Sequence, residues 1–302
     1  SNRDGNVALD VARMLVKLPE DLYPTEVPEN VYSRLESSQV TDVHVYGRRG
    51  PLQVKFTPLE LRELGELRDV DIILDDEDFA EQNGVQDPGD RGKQRAVLGR
   101  IFQEWRTREV GRASRRLHFH FLAKPIEVLG ASSVEGLRFE RTELDSEGQA
   151  VQTGVTIEHQ VQAVYRAVGY RGSPIRDVPF DQRLGVIPNN KGVVTDETGQ
   201  PIPGMFVTGW IKRGPVGLIG HTKSDAMETV ASLREMKGSL WSPCKKDVQS
   251  VVDLLAKRGV AFTGLSGWHQ LDEKEIELGV VRDKERMKVV RRQEMLELMT
   301  SH

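Results

Sequence analysis

The chain has 302 residues, 38% hydrophobic and 29% charged, which is the composition of a globular protein with room for two domains. Its 42 basic and 46 acidic residues give a formal net charge of −4, which excludes a general positive field for nucleic acid or an anionic membrane. The single cysteine, Cys244, excludes an intrachain disulfide and an all-cysteine metal or iron–sulfur site, and favours a cytoplasmic location. No apolar run approaches the roughly 20 residues of a membrane-spanning helix.

The chain begins with a helical pattern that is entered through a glycine. Gly5 precedes apolar residues at helical spacing as far as Leu15. In the dinucleotide fingerprint G-x-G-x-x-G/A, a strand and a first glycine come before such a helix. Gly5 and Ala8 fit the second and third positions, Arg3 stands at the first, and too few residues precede it for a strand. We therefore expect that the first strand is missing and that the chain is the C-terminal part of a longer protein.

An α/β alternation follows this first helix. We predict a loop or excursion over 18–41, a strand over 43–46, a helix over 59–67, a strand over 70–74 and a helix over 91–108. From 117 to 143 the hydrophobic pattern changes to period two, which indicates an antiparallel hairpin or meander. Residues 161–168 predict another buried strand, and the prolines and glycines after it mark a domain boundary near 174. The remaining predictions are strands over 205–210 and 287–290 and helices over 224–236, 245–258 and 271–278.

Two arginines, Arg48 and Arg49, follow the strand predicted over 43–46. At this point of a Rossmann unit, arginines accommodate the 2′-phosphate of NADP, whereas an acidic residue binds the ribose of NAD. The separation from Gly5 is about twice the usual 20 residues, so this interpretation requires the insertion at 18–41. The alternative is a pair of solvated arginines in a loop.

A glycine-rich turn from Gly209 to Gly220 follows a predicted strand and precedes a helix. Such a turn brings backbone close to a ligand, and Trp210 is able to cover a planar ring. A plain connection between the strand and the helix is the alternative interpretation.

Four segments, in this order, resemble the adrenodoxin-reductase-like ferredoxin–NADP⁺ reductases, notably the actinobacterial members: GNVALD from Gly5, GRRGPLQV from Gly47, VGYRG from Val168 and GWIKRGPVGLI from Gly209. The resemblance implies an α/β fold with two Rossmann-like dinucleotide-binding domains, as in glutathione reductase. It implies that residues 1–174 form the NADP-binding domain without its first strand. Residues 175–302 would be the C-terminal part of the FAD-binding domain, so we expect that this chain alone does not bind FAD tightly.

The resemblance also implies roles for individual residues. Asn6 and Val7 would bind the pyrophosphate of NADP, and Arg48 and Arg49 its 2′-phosphate. The catalytic carboxylates Glu60 and Glu63 would lie beside the nicotinamide, where Glu60 also contributes to cofactor binding. At the flavin, the resemblance places Trp210, Gly217, Leu218 and Ile219. The sequence departs from the family pattern at Arg3, Val216 and Leu218, where we expect glycine, threonine and valine.

The activity implied by the resemblance is hydride transfer between NADPH and FAD, then one-electron transfer to a ferredoxin-type iron–sulfur protein. Basic residues that would contact this partner are Arg95, Arg100, Lys212 and Arg213, although a solvated helix face also explains the arginines at 95 and 100. A second hypothesis is another NADPH-dependent flavin reductase. A third is a non-catalytic or inactive NADP-binding fragment.

We expect no metal site from the sequence. His118 and His120 share one face of a strand, but no third ligand lies near them in the sequence, so a surface or cleft lining is the preferred interpretation. His44 and His269 are interpreted as structural.

Overall fold

The computed structural model describes residues 5–80, 90–214, 220–240 and 247–300. Its helices are α1 Asn6–Val16, α2 Pro19–Leu22, α3 Glu29–Glu36, α4 Pro58–Gly65, α5 Asp90–Arg106, α6 Trp210–Arg213, α7 Gly220–Glu235, α8 Gln249–Lys257, α9 Leu265–Val280 and α10 Arg292–Thr300. Its strands are β1 Asp42–Tyr46, β2 Val70–Leu74, β3 Arg115–His120, β4 Ala123–Leu129, β5 Gly136–Leu144, β6 Ala150–Gln160, β7 Asn189–Asn190, β8 Val193–Thr195 and β9 Pro201–Phe206. They form three separate three-stranded sheets.

The first sheet is parallel, with the order β1-β3-β2. Leu117 and Phe119 of β3 point to the face covered by α1, α4 and α5, because alternate residues of a strand share a face. Helix α5 contributes buried side chains at positions 98, 101, 102 and 105, a spacing that forms one helical stripe. The helices and strands predicted around this sheet are confirmed.

Residues 18–41, predicted as a loop, contain the two helices α2 and α3. Pro19 occupies the first position of α2 and Pro28 immediately precedes α3, where a fixed φ favours helix initiation. This segment also contacts the C-terminal region. The ammonium of Lys284 lies 4.2 Å from the ring centre of Tyr23, and Arg282 pairs with Glu29 at 2.8 Å. The prolines therefore begin helices here, and the loop prediction is wrong.

The meander predicted from 117 begins only at β4. Strand β3 is the central strand of the parallel sheet, and the antiparallel sheet consists of β4, β5 and β6 in that order. Leu122, with a φ of 51°, redirects the chain between the two sheets. A period of two identifies the buried face of a strand but not the direction of its neighbours, which explains the wrong prediction.

Residues 161–168 do not form the buried strand that their apolar pattern predicts. Val164, Tyr165 and Val168 are 40%, 63% and 56% exposed. Within the described part of the chain, no strand pairs with this segment, so its backbone has no sheet to join.

The last sheet is a small antiparallel one with the order β7-β8-β9, and it encloses a core of Ile187, Val194 and Val207. The strand predicted over 205–210 is shifted, because β9 ends at Phe206 and α6 begins at Trp210. The helices predicted over 224–236, 245–258 and 271–278 correspond to α7, α8 and α9, each with different ends.

Residues 287–290 are not a strand, although Met287 and Val289 are buried. Both of their backbone amides donate to Glu275 of α9, at 2.8 and 3.1 Å, and this replaces a sheet partner. Among the described residues, no helix combines the length and the apolar composition that a membrane span requires.

Candidate dinucleotide-binding site

The N-termini of α1 and α4 lie side by side. The side-chain oxygen of Asn6 accepts a hydrogen bond from the backbone amide of Thr57 at 3.0 Å. A Cβ atom on Gly5 would lie 2.6 Å from the ring of Phe56, so only glycine fits this position without displacement. Together these contacts hold the start of α1 against the start of α4.

No side chain of the described residues caps the N-terminus of α1. The first backbone N–H groups of a helix have no partner within the helix, and they attract anions. In α1 these are the amides of Asn6 and Val7. The predicted pyrophosphate residues therefore occupy a position where a phosphate would be bound by backbone groups.

Arg48 and Arg49 follow β1 after Gly47, and hydrogen bonds hold their backbone carbonyls. Thr142 donates its hydroxyl to the carbonyl of Arg48 at 2.8 Å, and the amide of Leu122 donates to the carbonyl of Arg49 at 3.2 Å. Burial, followed by the positive charges of Arg48 and Arg95, lowers the pKa of Arg49. Arg48 and Arg95 thus both lie close enough to Arg49 to act on its charge, and a phosphate dianion would offset this repulsion.

The two carboxylates predicted for the nicotinamide side lie on α4. One carboxylate oxygen of Glu60, Oε2, is buried and has no hydrogen-bond partner among the described residues. Buried polar atoms are almost always paired, so this oxygen is a candidate to bind a ligand. Glu63 forms an ion pair with Arg13 of α1, and Arg13 also bonds Asp10 at 2.8 Å. Glu63 is therefore held toward α1.

These features test whether the residues fit an NADP molecule. The close approach at Gly5 and the start of α1, which no described side chain caps, suit the pyrophosphate. The arginines after β1 suit the 2′-phosphate. The oxygen of Glu60 that has no partner among the described residues suits a hydrogen-bond donor. The residues present fit the cofactor. The sequence alone did not reveal the contact between Asn6 and Thr57, whose positions are 51 residues apart.

The turn that begins at Gly209 is fixed by Asp225 of α7. Gly209 has a φ of 81°, a region that favours glycine, and its amide donates to Asp225 at 2.8 Å. Trp210, half exposed, lies 5.7 Å from the ring of Tyr170. Among the predicted flavin residues, Gly217, Leu218 and Ile219 lie outside the described residues, as do the sequence departures at 3 and 216.

Lys212 is buried, which argues against its predicted contact with a partner protein. Its ammonium lies 3.1 Å from Asp225 and 2.7 Å from Glu228, and its side chain is 6% exposed. These two carboxylates raise the pKa of Lys212 against the opposing effect of burial, which is the larger single influence. Arg213 also pairs with Asp225, at 3.0 Å. Lys212 therefore stabilises the Gly209 turn by pairing with Asp225, the residue that fixes this turn.

The candidate partner residues on α5 differ in their surroundings. Arg95 is partly buried and its charge acts on Arg49, whereas Arg100 is exposed. Arg100 is therefore better placed than Arg95 to contact another protein.

A cluster of histidines lies on the sheet face opposite the helices. His118 and His120 of β3 lie beside His44 of β1, which is 76 residues before His120 in the sequence. Burial, followed by the nearby histidines, lowers the pKa of His44 to about 4. His44 was not predicted as a neighbour of His118 and His120 because it is distant from them in the sequence. The pairing of β1 with β3 brings it beside them.

No family model matches the chain. It is 37% identical over 312 aligned residues to the NADPH-ferredoxin reductase FprA of Mycobacterium tuberculosis, covering 98% of this chain and 66% of that protein. The mitochondrial NADPH:adrenodoxin oxidoreductase of Mus musculus is 39% identical over 313 residues, covering 98% and 62%. That of Arabidopsis thaliana is 34% identical over 309 residues, covering 97% and 64%. The chain thus spans slightly less than two thirds of these relatives.

The fold is similar to that of solved structures. The structure of Mycobacterium tuberculosis FprA in complex with NADPH superposes with a TM-score of 0.87 at 35% identity, covering 99% of this chain and 66% of that one. This similarity confirms the α/β fold class with two dinucleotide-binding domains. By its sequence and its fold, the chain belongs to the family of adrenodoxin-reductase-like ferredoxin–NADP⁺ reductases.

Proposed function

We propose that the chain functions in a ferredoxin–NADP⁺ reductase, which transfers hydride between NADPH and FAD and then single electrons to a ferredoxin-type iron–sulfur protein. The observation that carries the proposal is the position of Arg48 and Arg49 after β1, in a chain whose α1 N-terminus is uncapped by any described side chain. The names of the relatives, which include NADPH, adrenodoxin and ferredoxin, support the same assignment.

We propose that residues 1–174 bind NADP. The amides of Asn6 and Val7 bind the pyrophosphate, because they open a helix that lacks a described side-chain cap. Arg48 and Arg49 bind the 2′-phosphate through charge-assisted hydrogen bonds. The same assignment gives a role to the charges of Arg48 and Arg95, which, after burial, lower the pKa of Arg49.

The two carboxylates of α4 orient the nicotinamide end. Glu60 has a buried acceptor oxygen that is free to bind a donor, such as the carboxamide of the nicotinamide. Glu63 is held by Arg13, so its position is coupled to α1 and hence to the pyrophosphate end. We propose that both residues position the ring and that neither forms a covalent bond to it.

We propose that residues 175–302 belong to the FAD-binding domain, with Trp210 and residues 217–219 at the flavin. FAD, when bound, supplies the exchange between a two-electron donor and single-electron acceptors. Asp225 and Lys212 fix the turn that carries Trp210. A cytoplasmic location, based on the single cysteine, also stays a prediction.

The test of the nucleotide assignment is a comparison of NADP⁺ and NAD⁺ binding by calorimetric titration. Replacing Arg48 and Arg49 by alanine removes hydrogen bonds to a charged group, each worth about 1.5–3 kcal/mol, so NADP⁺ affinity falls by about 10–100-fold per arginine. NAD⁺ affinity changes little. The matched control is Arg112→Ala, because Arg112 is 83% exposed and pairs with Glu109. Equal losses for both nucleotides would contradict the assignment.

The redox function is tested by reduction of a ferredoxin with NADPH in the presence of a large excess of added FAD, because we expect this chain alone to bind FAD only weakly. We expect electron transfer that requires both the flavin and NADPH. NADP⁺ binding without any flavin reduction would support the alternative of a non-catalytic NADP-binding fragment. Flavin reduction without transfer to a ferredoxin would support another type of NADPH-dependent flavin reductase.

A further inference from the structure

Three imidazoles converge on the face of the parallel sheet that is turned away from the helices. His118 and His120 are two residues apart on β3 and therefore share this face. His44 of β1 is paired in register with His118. Each of the three rings offers one ligating nitrogen, and these nitrogens all lie within 4.8 Å of one another.

One pair of these nitrogens has nearly the separation found in a zinc site. Nδ1 of His44 and Nε2 of His120 are 2.9 Å apart. In a tetrahedral zinc site, two nitrogens each about 2.0 Å from the ion are about 3.3 Å apart. The ring of His118 is stacked on that of His44 at 4.2 Å, nearly parallel to it. The three rings are nearly parallel, with interplanar angles of 5° to 16°. Because a ligating lone pair lies in the plane of its ring, the rings must rotate about their Cα–Cβ and Cβ–Cγ bonds to direct the three lone pairs at one ion.

Two carboxylates orient the outer sides of these rings. Asp75 lies 3.0 Å from Nδ1 of His120, and Asp42 lies 2.8 Å from Nε2 of His118. Arg116 holds Asp42 in turn with two hydrogen bonds of 2.6 Å. Each carboxylate uses one nitrogen of its ring and leaves the other for a metal ion. Metal-bound histidines commonly have such carboxylate partners, which fix the ring and increase its basicity.

The surroundings permit an ion to enter. The side chains of His118 and His120 are 18% and 13% exposed, so the cluster is shielded but not sealed. Tyr46 borders it through a stacked contact with His120 at 4.8 Å. The hydroxyl of Tyr46 lies 2.9 Å from Nδ1 of His159, whose ring centre is 5.0 Å from that of His120.

We propose that His44, His118 and His120 form a binding site for a divalent zinc ion, with the fourth position open to water. Imidazole nitrogens suit zinc, and three histidines with one open position are an established donor set for this metal. A bound ion would connect β1 to β3, the two strands that lead to Arg48 and to Leu122. It would replace the hydrogen bond between the rings of His44 and His120.

The test is a titration of the chelator-treated protein with Zn²⁺ by calorimetry and with Co²⁺ by visible absorption. We expect one ion per chain and a Co²⁺ spectrum without thiolate charge-transfer absorption. His44→Gln and His118→Gln should each weaken Zn²⁺ binding at least about 100-fold. The matched control, His269→Gln on α9, should bind as the parent does.

A second variant separates metal binding from folding. Asp75→Asn keeps all three imidazoles and should weaken Zn²⁺ binding by about 10–100-fold, as loss of an outer-shell partner does. Circular dichroism establishes that each variant is folded. Stoichiometric Zn²⁺ should also raise the unfolding temperature of the parent but not of His44→Gln. Absence of Zn²⁺ binding by the parent, or equal binding by parent and His44→Gln, would overturn the proposal.

Discussion

Asn6 accepts a hydrogen bond from the backbone amide of Thr57 at 3.0 Å and so joins the first turn of α1 to the N-cap of α4. Asn6 belongs to the proposed pyrophosphate site, and α4 carries Glu60 and Glu63. One side chain thus couples the phosphate end of the proposed site to its nicotinamide end.

Two substitutions of Asn6 separate its effect on stability from its effect on NADP⁺ binding. Asn6→Ala leaves the amide of Thr57 without its partner and should reduce the free energy of unfolding by about 1 kcal/mol. Asn6→Asp keeps an acceptor for Thr57 and adds a negative charge at the helix N-terminus, so stability should be preserved. The same charge repels a pyrophosphate, and NADP⁺ affinity should fall about tenfold or more. Denaturant unfolding and NADP⁺ titration measure the two quantities. Unchanged NADP⁺ binding by Asn6→Asp would place the pyrophosphate elsewhere.

Gly5 is sterically required, whereas Gly99 is not. Gly5→Ala places a methyl group 2.6 Å from the buried ring of Phe56 and should cost about 1–3 kcal/mol of stability, with weaker NADP⁺ binding. Gly99 lies inside α5, where an added Cβ would meet Leu52 at an ordinary 3.5 Å. Gly99→Ala should therefore stabilise the protein by about 0.5–1 kcal/mol. Thermal and urea unfolding of both variants distinguish the steric effect from helix propensity.

Of the two carboxylates paired with Lys212, the buried Asp225 should contribute more to the free energy of unfolding than the half-exposed Glu228. Asp225→Asn removes a carboxylate from the buried ammonium of Lys212 and should cost about 3 kcal/mol. The control is Glu228→Gln, which removes the other carboxylate partner of the same ammonium at a side chain that is 49% exposed. It should cost less than about 1 kcal/mol. Urea unfolding measures both variants. Equal losses in the free energy of unfolding would show that burial does not make the Lys212–Asp225 pair stronger than the Lys212–Glu228 pair.

The Asp225 contribution should depend on pH. Burial by itself raises the pKa of Asp225, but hydrogen bonds from Gly209, Lys212 and Thr208 outweigh it and hold the pKa below its ordinary value of 3.8. Below about pH 4, the unfolded chain binds a proton at this residue before the folded protein does, so acidification destabilises the fold. The stability difference between the parent and Asp225→Asn should therefore be full at pH 7 and shrink below pH 4. Urea unfolding across this range measures it, and a constant difference would contradict the assignment.

Arg100 and Arg95 should respond differently to charge reversal. Arg100→Glu should raise the KM for ferredoxin about 3- to 10-fold at low salt, with NADPH-to-dye activity unchanged, because exposed charges steer the encounter. Arg95→Glu should in addition weaken NADP⁺ binding, since the charge of Arg95 acts on Arg49. Steady-state kinetics with added FAD, at two ionic strengths, checks both. Ferredoxin kinetics of Arg100→Glu that match the parent would exclude α5 as the contact surface.

Local periodicity predicted much of the first domain. The spacing that buries Leu98, Phe102 and Trp105 is a property of the helix itself, and so is the start of α1 after Gly5. Arg48 and Arg49 became candidates for the 2′-phosphate because a strand end has a defined place in a Rossmann unit. Strand partners were harder to predict. The alternation in β3 is the same whether its neighbours are parallel or antiparallel.

The sequence named the residues of the candidate site but did not predict the contacts that the structure shows for them. Neither the bond between Asn6 and Thr57 nor the burial of Lys212 has a local signal, because the partners are 51 and 13 to 17 residues away. Residues 161–168 have a strand pattern, but a pattern does not supply a strand to pair with. Hydrogen bonding in a sheet is non-local, so it depends on which segments the fold brings together.

The sequence by itself determined the fold class and the family and named candidate NADP-binding residues, because these depend on short segments with fixed local geometry. Only the tertiary structure decided that His44 joins His118 and His120, and that Lys212 is enclosed by carboxylates. The physical reason is that parallel strands align distant residues in register, and a buried charge is stable only where the fold delivers its counter-charge.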